Sequence, residues 1–321
     1  MDGLTPIKLA TDSLRAAILP KGATLAALRL GPDGDNLVLG FRNPRDHVDV
    51  PAYVGPLVGP VANRIAEGRV NLGGKSYQMP RNENGETCLH SGAEGLHAQV
   101  FEVRELTKSA VTLALTLPDG AQGLPGRREI AARYSVEGSC LTLEIFAKTD
   151  RTTPMNIAAH PYWKFDDRPD VSGHLLQISA EKYLPTDERK LPTGEIRSVT
   201  GTDLDFRTPR PVPLTPALDV NYCLARQQRP ETAPCATLKG ATGITLHVST
   251  DAPGLQIYNG AFLPRIAGVL DNGGNLAPYG GIAIEPQFWP DAPRHAGFPS
   301  IILHPGETWR QTTHFRLTLP G

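Results

Sequence analysis

The feature that most constrains this chain is an alternation of apolar and polar residues with a period of two. Leu141, Leu143, Ile145 and Ala147 alternate with Thr142, Glu144, Phe146 and Lys148, and Ile130, Ala132, Tyr134 and Val136 repeat the pattern just upstream. Successive side chains of a strand point to opposite faces, so this pattern buries one face of a sheet and suits no helix. The two segments are expected to be antiparallel neighbours that turn at Glu137-Gly138. Gly73-Gly74, flanked by 69–72 and 75–78, reads as a two-residue hairpin, because both loop positions of the favoured turn want positive φ. Further strands are expected at 15–19, 25–30, 101–106, 111–117, 244–248, 255–258 and 309–317. No window of a dozen residues shows a 3.6 period with caps, so helix should be scarce. Strands set off by closely spaced turn signals point to an all-β fold, a large antiparallel β-sandwich or barrel. No linker, internal repeat or charge block interrupts the chain, and the last strand falls near its end. One domain over 1–321 is the expectation.

Composition narrows the function classes. Glycine (32) and proline (30) make up about a fifth of the 321 residues, below the proportion typical of low-complexity chains and suited to many tight turns. A formal net charge of −1 offers no field for a polyanion, which argues against nucleic acid. Cys88, Cys140, Cys223 and Cys235 are scattered without a C-x-x-C pair, and the N-terminus Met-Asp-Gly-Leu-Thr-Pro lacks a basic or apolar leader. Reduced thiols and a cytoplasmic location are expected. The best apolar run, 53–62, is interrupted by Gly55, Pro56, Gly59 and Pro60, so no membrane span is expected. There is no H-E-x-x-H, no cysteine pair and no calcium-loop carboxylate series, hence no metal and no cofactor is anticipated.

Five stretches carry polar residues that plain turn chemistry does not demand. Asn63 and Arg64 interrupt an apolar run before the Gly73-Gly74 hairpin; a surface arginine or a planar donor toward hydroxyls and carboxylates both fit. His90 sits between a leucine and two small residues that let a ligand approach the backbone, or is simply a loop histidine. His160 ends a short apolar strand before Pro161, with Tyr162 and Trp163 beside it; a satisfied core histidine is the alternative. Asp219, in Leu218-Asp-Val-Asn-Tyr222, reads first as an Asx-type turn. Glu285 follows three residues that read as buried strand, and a carboxylate there needs a partner because an unpaired one is costly. His174, His247 and His314 are expected at solvent-facing strand positions.

Taken in order, these segments resemble the aldose 1-epimerase (galactose mutarotase) family. The resemblance rests on Asn63-Arg64-Ile65, Leu89-His90 with Gly92, Asn156 with His160-x-Tyr162, and Leu191-Pro-Thr-Gly194. It continues through Asp219 with Tyr222, Leu255-Gln256-x-Tyr258, and Glu285-x-Gln287 with Pro290-Asp291-Ala292. It implies a large antiparallel sandwich, the galactose mutarotase-like supersandwich, with a sugar cleft on a concave face. It implies Glu285 as general base and His160 as general acid, Arg64 and His90 binding and polarising the sugar, and Asn63, Tyr162, Asp219 and Gln256 orienting its hydroxyls. The expected partner is then a small-molecule sugar, handled by a monomer or homodimer.

Interconverting α and β anomers means removing the proton on the anomeric oxygen while protonating the ring oxygen, then letting C1–C2 rotate before reclosure. One acid and one base suffice, and such groups typically contribute about 10²–10⁴-fold. A histidine of ordinary pKa serves as the acid if nearby carboxylates favour its charged form. This chain departs from the family's pattern at Ser91, at Ala158-Ala159, and at Pro161 and Trp163. Trp163, Trp289 and Tyr258 are candidates to stack on a sugar face, with core packing the alternative. Lys164 and Arg294, near the two catalytic segments, leave open an acidic or phosphorylated sugar. Two other readings remain: a glycoside hydrolase or lyase pairing Glu285 with Asp219 or Asp291, and a non-catalytic sugar-binding protein.

Overall fold

The hairpin at Gly73-Gly74 forms as its sequence dictates: Leu72 pairs with Lys75, and both glycines hold positive φ, 55° and 80°. A computed structural model describes residues 2–320. The period-two segments become Arg128–Glu137 and Cys140–Thr149, paired antiparallel from Arg128↔Thr149 to Glu137↔Cys140. Their turn is Gly138-Ser139, one residue later than expected, because Glu137 stays extended and Gly138 takes the left-handed position at φ 54°. The other expected strands fall within two residues of their observed bounds, from Leu14–Leu19 to Trp309–Thr318. Among the described residues the only α-helix is the four-residue Asp46–Asp49.

Two sheets dominate. A nine-stranded antiparallel sheet runs Arg210–Pro211, Leu175–Ile178, Ala233–Lys239, Thr245–Thr250, Trp309–Thr318, Cys140–Thr149, Arg128–Glu137, Ala110–Leu117 and Glu102–Leu106. A six-stranded sheet runs Tyr162–Trp163, Ile282–Gln287, Gly254–Tyr258, Asp219–Cys223, Lys182–Tyr183 and Arg197–Ser198. Leu141, Leu143 and Ile145 of the first sheet and Leu255, Ile257, Ile282 and Ile284 of the second belong to one buried cluster. Trp163 meets Phe315 across the interface, with ring centroids 5.2 Å apart. Burying side chains of this size stabilises the fold by roughly 1.5–3 kcal/mol each, which locks the two sheets together. The chain is therefore the antiparallel sandwich that its patterning predicted, with an N-terminal three-stranded sheet, Ile7–Ala10, Leu14–Leu19 and Thr24–Leu30, packed on the same core.

Three local expectations fail for identifiable reasons. Asp219 does not open an Asx turn; it begins the strand Asp219–Cys223, which pairs with Gly254–Tyr258. His174 faces no solvent: it is buried, and its Nε2 accepts the Phe165 amide at 2.9 Å. Trp163 and Trp289 are core residues, both almost fully buried, so neither offers a stacking face.

Candidate active site

In an antiparallel sheet, directly opposed residues project to the same face. In the six-stranded sheet, Glu285 lies opposite Gln256, which lies opposite Asn221. Two residues along, Tyr162, Ala283, Tyr258 and Asp219 form the next row on that face. The intervening residues, Trp163, Ile282, Ile284, Ile257 and Leu255, point the other way into the core. The Ile282–Gln287 strand is buried on both sides, so its period of two separates a polar site face from an apolar core face. Glu285 lies inside this strand, not at its end as expected.

The opposite wall comes from the short ribbon of Arg64–Ala66 with Thr87–Leu89. It ends at a reciprocal contact: the His90 amide donates to the Asn63 carbonyl at 3.0 Å, and the Asn63 amide donates to His90 Nδ1 at 3.1 Å. Asn63, His90 and Ser91 all hold left-handed backbone, with φ of 62°, 51° and 67°, which costs free energy and needs compensation. At Ser91, the buried hydroxyl accepts from the Val61 amide at 2.9 Å and donates to its carbonyl at 3.1 Å. Those two bonds offset the strain of a side chain at a glycine-like position.

Between these walls lies a cleft of about 490 Å³, and all eight sequence-derived candidates line it: Asn63, Arg64, His90, His160, Tyr162, Asp219, Gln256 and Glu285. His160 and Glu285 form its floor. His160 Nε2 lies 3.5 Å from Glu285 Oε1, with side-chain exposures of only 6% and 2%. Glu285 Oε2 and His160 Nδ1 have no hydrogen-bond partner among the described residues. Arg64 donates two parallel bonds to Glu83, both 2.7 Å, and lies 3.6 Å from Asp219. Asp219 in turn accepts from Gln256 at 2.6 Å. These contacts fix the guanidinium and the amide in place before any ligand arrives.

Burial governs the electrostatics. It raises the Glu285 carboxyl well above its ordinary value, the Asp219 charge adds to the rise, and Arg64 opposes it. Burial lowers His160 to about 4. Desolvation of the enclosed imidazole thus outweighs any carboxylate nearby, so the charged His160 needs a bound ligand to favour it. His90 is lowered well below the usual histidine value by burial, then by His160, Arg64 and His97. Burial alone would lower Arg64, yet the Glu83 bonds and the charges of Asp219, Glu83 and Glu285 leave it raised.

Folding also brings in residues that the sequence reading missed. Tyr53, Glu83 and Phe262 line the cleft, and Phe262 is 70% exposed there, nearly parallel to Tyr258 with centroids 6.4 Å apart. Glu83 could have been found only as the partner that a half-buried arginine requires. Phe262 carries no local signal. Lys164 and Arg294 do not line the cleft: Lys164 lies in a separate depression beside Phe165, and Arg294 is 3.7 Å from Glu67. Asp291 also stands outside, its Oδ1 accepting the Ala66 amide at 3.1 Å.

Fold and site together define a class: an antiparallel sandwich with a buried carboxylate–imidazole pair on the floor of an open polar cleft. A family model described as aldose 1-epimerase matches residues 6–316, and the chain belongs to the aldose 1-epimerase family. It is 36% identical to the galactose mutarotase of Bos taurus over 97% of this chain and 93% of that one. Among solved structures, the aldose epimerase homologue from C. elegans superposes with a TM-score of 0.91 at 29% identity, covering 99% of both chains. The galactose 1-epimerase of Lactobacillus acidophilus NCFM gives a TM-score of 0.86 at 27% identity, over 98% of this chain and 95% of that one.

Proposed function

We propose that this protein is an aldose 1-epimerase that interconverts the α and β anomers of a free, neutral aldose, with Glu285 as the base and His160 as the acid. The observation that carries the assignment is the 3.5 Å approach of a buried carboxylate and a buried imidazole at the floor of a sugar-sized cleft. Burial favours the neutral form of each group, raising Glu285 and lowering His160. A sugar whose anomeric hydroxyl donates to Glu285, and whose ring oxygen accepts from His160, favours the charged forms, carboxylate and imidazolium. Glu285 then takes the O1 proton as the C1–O5 bond breaks and His160 protonates O5. Rotation about C1–C2 and the reverse transfers close the ring on the other face.

The remaining residues bind and orient. His90 Nδ1 already accepts the Asn63 amide, so a neutral His90 presents Nε2–H as a hydrogen-bond donor and does not share the proton-transfer role. Arg64 stabilises charge developing on a sugar oxygen; Asn63, Tyr162, Asp219 and Gln256 orient hydroxyls, and Phe262 offers an aromatic face to the ring. Glu83, Glu86, Glu188 and Asp219 line the cleft against Arg64, Arg189 and Lys190. Arg64 is engaged by Glu83 and Arg189 by Asp187. That balance disfavours an anionic sugar. The reading takes the protein as a monomer or homodimer, and four unpaired cysteines suit a reducing cytoplasm.

A thermal-shift screen with neutral, acidic and phosphorylated aldoses tests the substrate class. Stabilisation by neutral aldoses alone is expected, and a preference for phosphorylated ones would refute the charge argument. Methyl glycosides, which cannot ring-open by loss of an O1 proton, should release no reducing sugar. Release would establish a hydrolase instead.

A further inference from the structure

The backbone leaves a gap where the acid–base pair sits. Before His160, Ala158–Ala159 pairs with Leu57–Val58; after it, Tyr162–Trp163 pairs with Ile282–Gln287 only at Ile282 and Ala283. No ladder therefore links the His160 segment to the part of the strand that holds Glu285. Two buried amide side chains cross that gap. Asn156, 1% exposed, accepts the Phe288 amide on Oδ1 at 2.9 Å and donates from Nδ2 to the Phe288 carbonyl at 3.3 Å. Its backbone meanwhile donates to the Pro60 carbonyl and accepts from the Ala62 amide, both at 2.7 Å, which ties in the segment leading to Asn63 and Arg64. Gln311 breaks an otherwise largely apolar inward row on Trp309–Thr318 and is 3% exposed. Its Nε2 donates to the Ile157 carbonyl at 3.3 Å and to the Pro286 carbonyl at 3.0 Å. One amide thus grips residues three before His160 and one after Glu285, and it is rooted in the opposite sheet.

We infer that Asn156 and Gln311 are positioning residues that together set the separation of His160 and Glu285. The inference rests on the acid–base reading above. A buried polar residue in a core row costs free energy unless it satisfies other buried groups. Here the groups satisfied are the backbone atoms flanking the two reacting side chains. A general acid and base must hold their geometry closely, and a misplacement of about 1 Å can cost on the order of 10²-fold in rate.

The experiment compares Gln311→Met and Asn156→Ser, each alone and combined with His160→Asn, using anomerisation kinetics and calorimetric sugar binding. Gln311→Met conserves volume, so it carries the test even if Asn156→Ser does not fold. The expected result is a fall in kcat of about ten- to a hundredfold with sugar affinity changed less than about twofold. In the His160→Asn background the same substitution should cause no further loss, because there is no longer a pair to align. A wild-type kcat per folded molecule, a rise in KM alone, or an equal loss in both backgrounds would overturn the inference. Should His160→Asn itself retain full activity, the acid–base reading falls instead, and the two failures are distinguishable.

Discussion

The nine-stranded and six-stranded sheets obey the same alternation, yet one builds a wall and the other lines a buried polar cleft. In Cys140–Thr149 the alternation separates core from solvent, as the Leu143 and Glu144 positions show. In Ile282–Gln287 every residue is buried, and the alternation separates core from cleft, Ile284 on one side and Glu285 on the other. Long strands with ordinary hairpins serve the first role. The second needs short strands, left-handed residues at Asn63, His90 and Ser91, and side-chain amides in place of backbone pairing. Both sheets contribute to the core, while the candidate site lies on the six-stranded sheet, which Gln311 ties to the nine-stranded one.

The contrast can be broken from either side. Glu285→Gln and His160→Asn should each lower kcat by about 10²–10⁴-fold while circular dichroism and Tm stay near wild type; near-normal turnover in either would remove the pair from the mechanism. In the other sheet, Leu143→Ala should cost about 2–5 kcal/mol in urea titration, with kcat of the folded fraction unchanged. A loss of kcat there would show that the sheets are not separable. Glu83→Gln sharpens the comparison, because it keeps the fold but removes the charge that orients Arg64. A fall in kcat/KM of about tenfold is expected from steady-state rates, in line with a charge-assisted contact.

The smallest effect concerns pH. His47 and His97 are each lowered to about 4 by burial, and Asp291, raised to about 6, opposes them only in part. The unfolded chain, with histidines near 6.5, therefore binds more protons across that window. Stability is present above pH 6.5 and is lost as pH falls toward 4, so Tm should decline steadily over that range. The acid limb of kcat/KM should likewise lie nearer 4 than 6.5, and a limb at the ordinary histidine value would contradict the desolvation of His160.

What could be read in the sequence follows the same division. Solvent-facing alternation marks strands such as 141–147 and 309–317 because water enforces it. Asp219–Cys223 lacked that contrast, since both its faces are covered, and its acidic residue looked like a turn. Glu285 and His160 stood out as polar residues in apolar surroundings, whereas Gln256 was visible only through the family resemblance. Glu83, Tyr53 and Phe262 come from loops distant in sequence, and nothing local announces that they share a cleft. His174 has a solvent-facing pattern but is enclosed by the Phe165 segment, a tertiary contact that periodicity does not encode.

The central claim is that this cleft catalyses anomer exchange by proton transfer, and polarimetry of a freshly dissolved pure anomer of a neutral aldose tests it most directly. The account predicts relaxation to the equilibrium rotation at a rate that rises in proportion to protein concentration, above that of buffer alone. Relaxation at the buffer rate with every common neutral aldose, while calorimetry still detects binding, would contradict it and leave a sugar-binding protein.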